Sequence, residues 1–271
     1  LKVYLEKCVE YHQKYGEALK QISKYVGNID VIKSCTKTAL MYGYTRPIIE
    51  DNQDTSYIKA EQIRHPIIER IQQDYEYIPN DVNIGLEKNN DSNHSDQNDN
   101  DSNNNKSLYG MLLYGTNAAG KSSLMKAMGL NIILAQAGMF VASKSFTYKP
   151  YNYLFTRINN NDNIFKGESS FAVEMSELRS ILKRSNKNSL ILGDELCSGT
   201  ESISAQSIFA SSVVSLVNKK ASFIFATHLH ELTKMKEITE LESVKMFHLK
   251  VHYDEKTGKL VYDRILEEGS G

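Results

Sequence analysis

Tyr114-Gly115-Thr116-Asn117-Ala118-Ala119-Gly120-Lys121-Ser122-Ser123 is the stretch that decides how this chain is read. Gly115, Gly120, Lys121 and Ser122 stand at the spacing of the phosphate-binding pattern G-x-x-x-x-G-K-[ST]. The apolar run Leu108-Tyr109-Gly110-Met111-Leu112-Leu113 precedes it and reads as a buried strand. The apolar stretch from Leu124 to Ala137 follows and reads as a helix. Strand, loop and helix in that order is the context the pattern requires. Small residues let backbone N–H groups turn inward around a phosphate, and the helix N-terminus adds partial positive charge. Lys121 would then reach the β- and γ-phosphates, and the Ser122 hydroxyl would face Mg²⁺.

A second element supports the first. Ser189-Leu190-Ile191-Leu192-Gly193-Asp194-Glu195 is a short apolar run ending in two acids. It reads as a buried parallel strand that delivers carboxylates to its C-terminal edge, where open α/β sheets bind ligands. Asp194 would hold Mg²⁺ through water, and Glu195 would orient and polarise the attacking water. Alone, such a strand could as well end in a solvated acidic turn. Beside a phosphate loop, the catalytic reading is the stronger one.

Bulk composition narrows the class. The 271 residues are 41% hydrophobic and 24% charged, with a formal net charge of −1. Such a chain is expected to be globular and is large enough for one large α/β domain with a sizeable core, or for a domain plus an appendage. No apolar run approaches the roughly 18–20 residues of a membrane span, so no membrane partner is expected. No basic stripe marks a phosphate-backbone reader. Cys8, Cys35 and Cys197 are odd in number and lack paired spacing. That usage points to an intracellular, reducing compartment and away from a disulfide or zinc framework. A start at Leu1 and a loop-like stop at Gly271 suggest a piece of a longer protein.

Along the chain, residues 1–41 read as a helical lead-in. Val3, Tyr4, Val9, Tyr11, Tyr15, Leu19 and Ile22 recur at loosely helical spacing, a packing surface. From Tyr42 to about Asp81, Pro47, Pro66 and Pro79 break the pattern into short strands and turns that are expected to lead into the main sheet. Between 87 and 107 there is no hydrophobic residue, and a disordered Asn/Asp-rich insertion is expected there. Residues 203–218 read as a helix. Ala221-Ser222-Phe223-Ile224-Phe225-Ala226 reads as a buried strand, ending in Thr227-His228. Residues 244–253 and 259–265 flank Asp254-Glu255-Lys256-Thr257-Gly258 as a hairpin. Alternating strands and helices give an α/β fold with a mostly parallel sheet and flanking helices.

The order of these elements resembles the ATPase domain of the MutS DNA mismatch-recognition proteins, a branch of the ABC-type P-loop NTPases. Several separated stretches carry the resemblance. They are Arg64-His65-Pro66-Ile67-Ile68-Glu69, Glu76-Tyr77-Ile78-Pro79-Asn80-Asp81, the phosphate loop with Asn117, and Ser169-Ser170-Phe171-Ala172-Val173-Glu174-Met175. Asp194-Glu195-Leu196-Cys197-Ser198-Gly199-Thr200, Phe225-Ala226-Thr227-His228-Leu229-His230-Glu231-Leu232 and the lead-in from Asp30 to Pro47 complete it.

The resemblance implies an ABC-type ATPase domain over 42–271 behind the end of a lever region at 1–41. It implies ATP or ADP with Mg²⁺ as ligands, and hydrolysis at composite sites in a dimer. Tyr77 would stack on adenine with Ile78 beside it. Thr116, Asn117, Ala118, Ala119 and Ser123 would complete the phosphate cradle with Gly115, Gly120, Lys121 and Ser122. Ser169 would serve the nucleotide of a partner subunit, identical or paralogous. His228 would sense the γ-phosphate. Mismatched duplex DNA would be held by domains outside this chain, with ATP-driven dimer closure moving the DNA clamp.

Departures from the family pattern fall in two loops. Thr116, Ala118, Ala119 and Ser123 replace Pro, Met, Gly and Thr, so a backbone that needed positive φ at Ala119 would be strained. Leu196-Cys197-Ser198 replaces Ile-Gly-Arg. Other readings stay open: a MutS-like ATPase acting on recombination intermediates, an ABC-type ATPase of another class, or a nucleotide-gated module that does not hydrolyse. Glu174 and Glu177 also have a plain reading as solvated helix charges, at least one of them correctly. His248, Lys250 and His252 read as a solvated hairpin face rather than a metal site. Cys197 has no base partner in the sequence and is not read as a nucleophile.

Overall fold

A computed structural model of the chain describes residues 1–71, 76–86, 107–116, 119–158, 170–197, 201–254 and 258–271. Lys2 to Tyr42 contains no proline, and it forms one long helix, α1 (Lys2–Tyr42). Gly43 ends it with a left-handed φ of 60°, its N–H donating to Ala39 O. The expected packing stripe is solvent-exposed, including Tyr4, Leu19 and Ile22. Leu1–Tyr44 is one compact unit and Thr45–Gly271 a second.

The second unit is mixed α/β. In chain order its elements are β1 (Ile48–Ile49), β2 (Ile58–Ile63), α2 (Ile68–Ile71), β3 (Asn80–Ile84), β4 (Gly110–Tyr114) and α3 (Lys121–Gln136). Next come β5 (Ser145–Tyr148), β6 (Tyr153–Arg157), α4 (Ser170–Arg184), β7 (Ser189–Asp194) and α5 (Ser202–Asn218). The last are β8 (Ser222–Ala226), a 3₁₀ turn His230–Lys234, α6 (Lys236–Thr239), β9 (Val244–Asp254) and β10 (Lys259–Glu268).

Six strands form the central sheet in the order β10-β9-β4-β8-β7-β6. The five from β9 to β6 are parallel, and β10 pairs antiparallel at the edge. Residues alternate between two cores, as the period of a strand dictates. Met111, Leu113, Leu190, Leu192 and Ile224 pack against Leu124, Met125 and Met128 of α3. Leu112, Tyr114, Ile191, Phe223 and Phe225 pack against Leu178 of α4 and Phe209, Val213 and Leu216 of α5. Burial on both faces explains why these strands read as unbroken apolar runs.

The segment from Tyr42 to Asp81 does not feed the main sheet, which corrects the sequence expectation. β1, β2 and β3 join β5 in a separate four-stranded sheet, order β1-β5-β2-β3. The reason is one-sided patterning. Ile58, Ala60 and Ile63 of β2 and Val82 and Ile84 of β3 face inward, while Lys59, Glu61, Asp81 and Asn83 face solvent. Such strands cannot sit inside a sheet buried on both faces, so they cover the α3 side of the core instead. Strands β5 and β6 were not expected. All but Ser107 of the Asn/Asp-rich stretch lies outside the described residues. No helix among the described residues is long and apolar enough to cross a membrane.

Candidate active site

Because β4, β8 and β7 are parallel neighbours, their C-terminal ends open on one edge. β4 runs into Gly115, β7 into Asp194-Glu195, and β8 into Thr227-His228. That edge holds a cavity of about 320 Å³ lined by Thr116, Lys121, Ser122, Asp194 and Glu195. Gly115 at φ 128° and Gly120 at φ 110° shape the turn between β4 and α3, and Gly120 caps α3. Both values are costly for any residue with a Cβ.

Lys121 stands in the first turn of α3 and is buried. Its ammonium donates to Gly115 O at 2.5 Å and Thr116 O at 3.1 Å. Burial pulls its pKa below the usual lysine range, while Asp194 and Glu195 push it back up. The Ser122 hydroxyl donates to the Asp194 carboxylate. Glu195 Oε1 lies 3.1 Å from His228 Nε2, with both side chains partly exposed. The structure thus brings together Lys121, Ser122, Asp194, Glu195 and His228. Asn117, Ala118 and Ser169 lie outside the described residues.

The backbone at Ala119 needs no positive φ, so the condition for strain there is not met. The Ala119 methyl is buried in the core. Beside the cavity, two of the left-handed non-glycine positions fall together in the turn after β7, on Glu195 at φ 51° and Cys197 at φ 65°. Conformations of this kind cost on the order of 1–3 kcal/mol each and persist only where surrounding contacts impose them. Glu195 N donates to Ala226 O at 3.0 Å, which ties the turn to β8.

Tyr77 and Ile78 line the same cavity. The Tyr77 ring lies 6.5 Å from that of His65, tilted by 57°. Burial pushes its phenol up to about 12, with Glu69 adding to the shift and Arg264 opposing it. Asn80, Leu249 and Arg264 also line the cavity, and sequence reasoning missed all three. Arg264 has φ 58° and sits in a break of the β9–β10 register between Tyr262 and Leu266. The Asn80 side chain pins that break. Its amide donates to Arg264 O at 3.1 Å and its carbonyl accepts from Leu266 N at 2.7 Å. Asn80→Ala would remove both of these part-buried hydrogen bonds, a loss of about 0.5–1.5 kcal/mol for each at the usual net worth of such a bond. Urea unfolding measures it, and an unchanged midpoint would show that the two bonds carry no net weight.

Glu177 pairs with Arg157 and is half-exposed. Glu174 is buried, so the solvated reading fails for it. His252 Nδ1 lies 2.8 Å from Asp263, and His248 Nε2 lies 3.7 Å from Glu267. The hairpin face therefore pairs its side chains with acids of the opposite strand, Lys250 with Glu267 and Lys245 with Glu268 as ion pairs. Among the described residues no cluster of three or more His, Cys, Asp or Glu could hold a metal. The three cysteines are free. Burial, helped by Glu174, pushes the Cys197 thiol up to about 11, which makes it a poor nucleophile.

The family model described as MutS domain V matches residues 111–271. A DNA mismatch repair MutS homologue of Acanthamoeba polyphaga mimivirus is 39% identical over 286 residues, covering 100% of this chain and 25% of that protein. A mitochondrial DNA mismatch repair MutS homologue of Sarcophyton glaucum is 36% identical over 271 residues, covering 96% of this chain and 25% of that protein. The DNA mismatch repair protein MutS of Lactobacillus johnsonii is 33% identical over 253 residues, covering 92% and 26%. The chain thus spans about a quarter of the length of these relatives.

Proposed function

The chain belongs to the MutS family, and we propose that it is the ATP-hydrolysing part of a DNA mismatch repair protein, with a P-loop fold of the ABC type. The observation that carries this reading is the meeting of Lys121, Ser122, Asp194, Glu195 and His228 at one sheet edge. Triphosphate would lie over the turn from Gly115 to Ser123, against the N-terminus of α3, where backbone N–H groups and the dipole favour anions. The Lys121 ammonium would exchange its two carbonyl partners for phosphate oxygens. Tyr77 and Ile78 would receive the adenine, and Arg264 adds a cation to the same wall.

The residues present fit Mg²⁺. Ser122 Oγ and the Asp194 carboxylate are hard oxygen donors already in contact. Mg²⁺ characteristically takes one or two protein oxygens and completes its shell with phosphates and water. When bound, it would neutralise charge on the β- and γ-phosphates. Glu195 would accept a proton from the attacking water and hold it in line. His228, in contact with Glu195, would report the presence of the γ-phosphate. Ser169 would complete the site of a partner subunit. ATP-driven closure of that dimer would move a DNA clamp held by other parts of the protein, through the helix α1.

Specific ATPase activity is expected to rise with protein concentration and to vanish when Mg²⁺ is chelated. Turnover per chain that stays constant across dilution, through the range in which sedimentation shows the dimer dissociating, would overturn the composite-site reading.

A further inference from the structure

Glu174 is a carboxylate with almost no access to water. It is 3% exposed, on the second turn of α4. Its Oε1 accepts the backbone N–H of Cys197 at 2.7 Å, across 23 residues of sequence. Burying a carboxylate is costly, so a position that holds one in contact with a loop amide is built for that contact. The loop is the one that needs holding. Glu195 and Cys197 are both left-handed, and Leu196 between them is buried. Glu195 N is fixed to β8 through Ala226 O, and Cys197 N is fixed to α4 through Glu174. The two amides anchor the turn at both ends, and the Glu195 carboxylate is carried on it.

We propose that Glu174 is a positioning residue for hydrolysis. It holds the Glu195–Cys197 turn in its left-handed course and thereby sets where the Glu195 carboxylate stands. This rests on the reading above in which Glu195 acts on the attacking water. It predicts that Glu174 governs turnover rather than nucleotide affinity, because no cavity-lining atom belongs to it. It also predicts that the need for Glu174 depends on the residue at 197. A non-glycine residue at φ 65° must be held there, whereas glycine takes that course freely.

The test uses the full chain, Mg·ATP binding and single-turnover hydrolysis. Glu174→Met fills the same space without an acceptor, and Glu174→Gln keeps an oxygen in reach of the Cys197 N–H. Hydrolysis should fall by about tenfold or more in the Met variant, the scale of a misplaced catalytic group. It should stay within about threefold of wild type in the Gln variant, and ATP affinity should hold in both. Adding Cys197→Gly to Glu174→Met should restore most of the lost rate, which a merely structural role would not do. Should the Met variant fail to unfold cooperatively, Glu174→Asp, which withdraws the oxygen by one methylene, carries the same expectation and the same rescue. Equal rates in the Met, Asp and wild-type chains, or a loss that Cys197→Gly leaves untouched, would overturn the proposal. Glu195→Gln run in parallel separates the two readings. If that variant turns over normally, the role of Glu195 itself fails; if it is inactive while Glu174→Met is normal, only the role of Glu174 fails.

Discussion

Glu195→Gln is expected to bind Mg·ATP within a few-fold of wild type and to hydrolyse it roughly 10²- to 10⁴-fold more slowly, the range of a lost general base. The substitution is nearly isosteric. The Glu195 side chain is partly exposed and reaches His228 Nε2 at 3.1 Å, a contact that Gln can keep through either end of its amide. The turn is held by backbone amides at Glu195 and Cys197, which the change does not touch. The phosphate loop and the Ser122–Asp194 pair are likewise intact. What disappears is an oxygen able to take a proton from water. Affinity and rate should therefore separate cleanly, as they do when an interaction made only in the transition state is removed. Single-turnover hydrolysis and equilibrium nucleotide binding on the same preparation read both. Wild-type hydrolysis by the Gln chain would remove Glu195 from the reaction and leave Asp194 as the only acid at that strand end.

The parts of the site that were legible in the sequence share one property: their positions follow from local pattern. β4, β7 and β8 are buried on both faces, so each reads as a continuous apolar run, and the candidate residues begin where the run stops. Lys121, Asp194, Glu195 and His228 are each a short step past such a stop. The hairpin of β9 and β10 was legible for the same reason, since its turn carries Gly258 at φ 65°.

What escaped notice depends on pairings between distant segments. β2 sits between β3 and β5, and its partner strand β5 lies far along the chain. The alternation along β2 marks it as one-sided, but nothing local says which strands it pairs with. Asn80 looks like an ordinary residue after a proline. Its two bonds to the backbone around Arg264 exist only because the edge of the small sheet meets the end of β10. Glu174 sits in a helix whose polar and apolar residues alternate in the usual way, and only the approach of Cys197 makes it a buried anchor. Ala119 takes no positive φ whereas Glu195 and Cys197 do, and no residue type in either loop announces which.

Under the proposed function, Mg·ATP is expected to stabilise the wild-type chain and Lys121→Ala to abolish that stabilisation, while the ligand-free protein stays about as stable as before. The ammonium is buried, and burial holds its pKa below the ordinary lysine range against the pull of Asp194 and Glu195. The sign follows from linkage. A lysine whose folded pKa is depressed disfavours folding in its charged form, fully so below the folded pKa, and that effect fades only as pH rises past it. At neutral pH the ligand-free fold therefore carries a desolvated cation, offset by bonds to Gly115 O and Thr116 O. Both carbonyls belong to residues that are not buried, so water can replace the ammonium once it is gone. Removing the side chain then costs the ligand-free protein little. In the liganded state the balance reverses, because a triphosphate would lose a buried cationic partner. Truncating one member of such a charged pair typically costs about 2–5 kcal/mol, or roughly thirtyfold or more in affinity. At a ligand concentration 100-fold above the wild-type Kd, mass action stabilises the wild-type chain by about 2.7 kcal/mol, on the order of 5–10 °C in Tm. The Ala variant at the same concentration should move by a small fraction of that. Thermal unfolding with and without Mg·ATP measures both proteins. Equal ligand-induced shifts would place the triphosphate away from Lys121 and with it the whole phosphate cradle.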